Sequence, residues 1–194
     1  MNDFNFFVQR GLFHVLDKNA YDHILFLIAL VVIYQFKDWK KILAMVTAFT
    51  IGHTFTLTLA VYQVFRLKTE WIEFLIPLTI FLTAIVNVLF IKRNLKAKGL
   101  SINVFFAFFF GLIHGMGFSG YFEIIIGKTK NKVLPLLEFA MGIELAQIII
   151  VLVVLLFGLI IQNIFKVSKR DWILVISSIV AGMTVPMLIE RVFW

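Results

Sequence analysis

Six apolar runs, at residues 21–36, 42–65, 71–91, 102–126, 134–165 and 172–193, take up most of this 194-residue chain. A helix needs about 20 residues to cross the hydrocarbon core of a bilayer. Five of the runs reach that length. The first is short, and the fifth is long enough to tilt or protrude. The connections are short and polar, so no separate soluble domain is expected. The reading is an all-α fold: a polytopic membrane helix bundle, one transmembrane domain over 1–194, with six transmembrane helices. Composition agrees, at 61% hydrophobic and 15% charged residues. A soluble domain is roughly a quarter charged.

The segment before the first run mixes Asp3, Arg10, Asp17 and Lys18 with Phe4, Phe6, Phe7, Leu12 and Phe13. It lacks the uninterrupted apolar core of a cleaved signal and reads as a short amphipathic or partly re-entrant segment. The net charge of +7 would suggest nucleic acid in a soluble protein. Here the basic residues sit mostly between apolar runs, where they orient the chain, so no nucleic-acid partner is expected. Of the 18 Lys and Arg residues, ten fall after the first, third and fifth runs and eight elsewhere. That bias puts those three connections in the cytoplasm and both termini outside, in a multi-pass membrane protein.

The carboxylates are less evenly spread. Asp22, Glu73, Glu123, Glu138 and Glu190 lie near the outer ends of five different runs. They read either as an acidic rim that concentrates cations or as solvated groups paired with Arg66, Lys128 or Arg191.

The chain has no cysteine, which excludes disulfides, thiolate metal sites and cysteine nucleophiles. It has four histidines. His53 and His114 fall midway along the second and fourth runs, His23 opens the first beside Asp22, and His14 lies on the amphipathic segment. Glu144 lies about 15 Å into the fifth run, at ~1.5 Å per residue. Ionisable groups at such depth are costly and face the bundle interior with a partner. Imidazole and carboxylate without thiolate favour a divalent ion such as nickel, zinc, iron or cobalt over copper(I). His23, His53, His114, Asp22, Glu144 and His14 are therefore the candidate metal ligands, with Asp22 alternatively orienting a histidine. The competing reading of each mid-membrane histidine is a hydrogen bond to a neighbouring helix.

Gly111 and Gly115 have the small-xxx-small spacing of close helix packing, and Thr47, Thr50, Thr54 and Thr58 recur at helical spacing. The threonines either bond to backbone or line a polar path. No Gly-x-Ser-x-Gly elbow and no His-Glu-x-x-His motif is present, so enzyme chemistry has little support.

Four ordered motifs carry a resemblance: Tyr21-Asp22-His23-Ile24-Leu25-Phe26, Phe49-Thr50-Ile51-Gly52-His53-Thr54, Gly111-Leu112-Ile113-His114-Gly115-Met116-Gly117-Phe118 and Met141-Gly142-Ile143-Glu144-Leu145-Ala146-Gln147. Together they resemble the HupE/UreJ family of bacterial membrane proteins over nearly the whole chain. Members studied as nickel permeases are similar in a His upstream of Asp-His and in a later His-Gly motif. The resemblance implies that Asp22, His23 and His114 are functional positions, and that metalloenzyme-maturation proteins are partners. The His14-to-Asp22 spacer is longer here than in the permease branch, and Ser119 and Tyr121 stand where that branch has Gly and Glu. The sequence thus looks closer to an accessory-like branch. The function expected is a metal permease or facilitator. The alternatives are an intramembrane metalloenzyme and a metal store or accessory protein. The inner halves of two runs, 28–33 and 148–161, carry no charge, which weighs against a simple pore.

Overall fold

The computed structural model of the chain describes residues 3–17, 21–91, 100–127 and 131–194. All regular elements among them are helices: α1 (Asp3–Leu16), α2 (Asp22–Val31), α3 (Trp39–Val61), α4 (Thr69–Leu89), α5 (Leu100–Gly117), α6 (Ser119–Ile126), α7 (Val133–Asn163) and α8 (Lys169–Glu190). A 3-10 turn at Phe36–Asp38 leads into α3. Four helices are long and apolar enough to cross a membrane: α3 with its leading turn, α4, α7 and α8. The run at 102–126 breaks at Phe118 into α5 and α6, which count as a fifth span if taken together, bent by 57°.

The run at 21–36 forms no sixth helix of spanning length. It folds as α2, ten residues long, or ~15 Å at 1.5 Å per residue, and then turns. The reason lies in where it sits. His23, Leu25, Phe26, Leu27, Ala29 and Val31 are buried against α4, α7 and α8, so the apolar character serves a protein interior. Backbone that leaves a helix within a bundle is tolerated where protein covers it and supplies partners. Here Asn87 of α4 donates to the Ala29 carbonyl at 2.7 Å, and the Tyr34 N–H donates to the Val31 carbonyl at 2.9 Å, while Asn103 of α5 ties down the Tyr34 hydroxyl at 2.7 Å.

Two helix pairs are drawn together by glycine. A Cβ on Gly52 would collide with the Phe108 carbonyl oxygen, one on Gly111 with that of Phe49, and one on Gly115 with that of His53. The backbones of α3 and α5 therefore touch along three positions, the role that small residues play between membrane helices. Gly11 and Gly142 do the same for α1 and α7. Large side chains such as Ile51, Phe55, Phe105, Leu152 and Phe157 stand exposed on the outside of the bundle. In water that surface would be a liability, and against lipid it is an ordinary solution.

Sidedness rests partly on connections 92–99 and 128–130 and on Lys18, which lie outside the described residues.

Candidate metal centre

Four helices deliver the histidines to one place. His14 comes from the last turn of α1, His23 from the first turn of α2, His53 from the middle of α3, and His114 from the last turn of α5. The glycine contacts between α3 and α5 set how closely His53 and His114 approach. One nitrogen from each of His14, His23 and His53 lies within 4.8 Å of the other two. A shared ion needs imidazole nitrogens ~2.0–2.1 Å away, so the three must draw in by about 1 Å. His114 adjoins the group, its ring centroid 5.2 Å from that of His23. The His14 and His23 centroids are 4.6 Å apart.

The hydrogen bonds of these rings decide between ligand and packing roles. His114 Nδ1 lies 2.9 Å from the Phe110 carbonyl oxygen, and His23 Nδ1 lies 3.1 Å from Asp22 Oδ1. A carbonyl and a carboxylate only accept, so each Nδ1 carries the proton and each Nε2 keeps a bare lone pair. That is the arrangement by which outer-shell partners prepare metal-binding histidines. Among the described residues the Nε2 atoms of His14, His23, His53 and His114 are all buried without a partner, and His53 Nδ1 is as well. A buried polar atom without a partner costs about 1–3 kcal/mol. An ion held by His14, His23 and His53 would remove that cost at each of the nitrogens that bound it. The hydrogen-bonded core histidine is thereby disfavoured for His53, which has neither nitrogen satisfied.

An apolar shell surrounds the cluster. Phe118 lies against His14, with centroids 3.8 Å apart, and stacks on Phe139. On another side Phe26 and Phe49 stack on each other at 5.0 Å, and each lies within 5.3 Å of the His114 ring. Both are fully buried. A cavity of about 510 Å³ reaches the cluster from outside. Its lining includes His14, His23, His114 and Asp22 together with Arg10, Asp17, Glu73 and Arg191. His53 is not part of that lining.

The five outer carboxylates do not form a common rim. Asp22 and Glu73 face the cavity, but two arginines share it, so its charge is mixed. Glu123 is ion-paired with Arg66, and Glu138 is buried within α7. Glu144 is not brought to the histidines. Its carboxylate accepts from Thr47 at 2.6 Å and from Thr50, both of α3. The threonine repeat therefore has divided roles: Thr47 and Thr50 turn to α7, while Thr58 donates to the Thr54 carbonyl at 2.7 Å. Sequence reasoning missed Phe118 and Phe139, since a Phe among 23 carries no mark of its position.

Asp22 touches the cluster through a ring nitrogen, and loss of such a partner costs about 10–100-fold in metal affinity. Asp22→Ala is expected to weaken binding by that factor while leaving the number of ions bound unchanged, as read by titration with a competing chelator. Wild-type affinity in the variant would show that Asp22 does not prepare His23.

The HupE / UreJ protein family pattern matches residues 1–191 of the chain. No curated protein and no solved structure matches it.

Proposed function

The chain belongs to the HupE/UreJ family, and from that premise we propose that it binds a divalent transition metal on its histidine cluster and passes it across the membrane as a permease or facilitator. The observation that supports this reading is the convergence of His14, His23 and His53, with one nitrogen of each within 4.8 Å of the others, beside a cavity lined by His14, His23 and His114. The ion is the cargo. His14, His23 and His53 are the capturing ligands, His114 completes the set, and Asp22 orients His23. An all-imidazole set of donors suits nickel, zinc, cobalt or iron, with nickel the choice that the family favours. Such donors are neutral when they bind, so capture competes with protons and release is assisted by acid. The excess of basic residues after the odd-numbered runs supports a cavity open to the extracytoplasmic side of a bacterial inner membrane.

The buried Phe26–Phe49 stack beside the cluster favours one other reading, a resident ion held for catalysis or storage. Uptake into proteoliposomes separates the two. With nickel outside and a metal-sensitive dye inside, transport predicts a signal that saturates with nickel and vanishes in His23→Ala. Stoichiometric binding without entry would leave the resident-ion reading.

A further inference from the structure

The cavity beside the histidines contains two groups that a site for a bare cation does not want. Arg10 and Arg191 both line it, and a guanidinium is always charged. Fixed charge of the ion's own sign in a confined space lowers the local concentration of a dication. Asp17 and Glu73 belong to the same lining and offset that charge on average. Even so, among the described residues neither arginine forms an ion pair. Arg10 lies over the Phe6 ring, 5.0 Å from its centroid, and donates to the Tyr121 hydroxyl at 3.4 Å. Arg191 donates to the backbone carbonyl of Glu73 at 3.3 Å, not to the Glu73 carboxylate. These partners are all neutral. Each guanidinium is thus positioned with N–H groups left to donate.

The spacing joins these groups to the metal site. Arg10 stands four residues before His14 on α1. That is one turn along the same helix face, where Cβ atoms are about 5–6 Å apart. Gly11, between them, seats α1 on the α7 backbone, so a rigid element carries both side chains. Arg191 enters from the end of α8. One cavity therefore presents metal-binding nitrogens next to groups that bind carboxylates. Its size agrees. Sites for small organic ligands run about 300–1,000 Å³, and this cavity, at about 510 Å³, falls among them. About six waters around an ion, at about 30 Å³ each, would fill less than half of it.

The geometry points to an ion that arrives as a complex, already bound to a small polycarboxylate. The histidines take the metal, and Arg10 and Arg191 take carboxylates that the metal leaves free. This names the form in which the cargo reaches the site proposed above, and it rests on that function. Imidazole nitrogens displace water from the ion, which keeps its coordination number, and no covalent bond of the chelator breaks. Carboxylate oxygens accept from the guanidiniums, a planar fork matched to a planar acceptor. Two such forks select a chelator with at least two carboxylates. Asp17 and Glu73 repel the polycarboxylate alone, whose charge no metal has reduced.

Equilibrium dialysis of the purified protein against radiolabelled citrate, with and without nickel, tests this. Wild type should retain citrate and nickel in equal number, and little citrate without nickel. Arg10→Gln combined with Arg191→Gln should weaken binding of the complex about tenfold for each arginine lost. Nickel supplied without citrate should bind this variant at least as tightly as wild type, because two repelling charges are gone. Nickel bound by wild type with no citrate would overturn the complex and leave the metal function standing, and this ratio decides even if the variant does not fold. Citrate retained equally with and without nickel, or equally by wild type and the double variant, would also overturn it. Wild type that binds nickel in neither form would overturn both the complex and the metal function.

Discussion

Protein purified with His53→Ala or His114→Ala should stay folded and lose its metal. Removing an outer-shell partner from a metal site already costs about 10–100-fold in affinity, so removal of a ligand should cost more than that. His53 is the more informative of the two. It is fully buried with both ring nitrogens partnerless, so in the absence of metal the alanine removes two unsatisfied groups and loses only packing. The metal-free variant should therefore unfold near the wild-type temperature, while the stabilisation that added metal gives to wild type should disappear. Elemental analysis and thermal unfolding with and without nickel or zinc supply both numbers. Unchanged metal content in both variants would remove the histidine site and, with it, the transport reading.

Gly115→Ala should be among the most damaging single methyl additions at the described glycines. The new Cβ would meet the carbonyl oxygen of His53 and the Thr56 hydroxyl at once. Backbone cannot move aside as a side-chain end can, so α3 and α5 must separate. Overpacking of this sort costs about 1–3 kcal/mol, occasionally more, and the upper end applies here. Since His53 and His114 ride on the two separating helices, metal affinity should fall with stability, although no ligand has changed. Gly120→Ala is the control, because nothing lies within 4 Å of a Cβ there. It should unfold at or above the wild-type temperature and bind metal normally. Equal stability of the two variants would mean that α3 and α5 are not held at backbone contact.

Legibility in the sequence followed the strength of each physical constraint. His53 and His114 could be found because an imidazole midway along an apolar run is costly to bury unless something binds it. Gly111 and Gly115 could be found because their spacing repeats on one helix face. His14 was the least marked of the four, since a histidine on an amphipathic segment is ordinary, yet its ring is among those nearest His23. What put it there was the Gly11–Gly142 contact that seats α1 against α7, a long-range pairing that no local pattern announces. The run at 21–36 misled because an apolar stretch reads the same whether lipid or protein covers it. Glu144 misled through depth alone. It lies deep enough for the histidines, but the rotation of α7 aims it at Thr47 and Thr50, and depth along a helix says nothing about rotation.

The cavity that ends at the histidines has an electrical consequence. Its lining includes Arg10, Asp17, Glu73 and Arg191, a polar surface that suits water, and water conducts the potential of the bulk inward. In a membrane under voltage little of the drop falls along such a cavity. Most of it is compressed into the dry remainder, the stacked rings of Phe26 and Phe49 and the apolar turns beyond them. A full crossing is worth about 2.3 kcal/mol per charge per 100 mV, so in the proposed transport a doubly charged ion would reach the histidines at little electrical cost. It would then meet nearly the whole field in the last half of its path. Whichever face the cavity opens to, loading should respond weakly to voltage and unloading strongly.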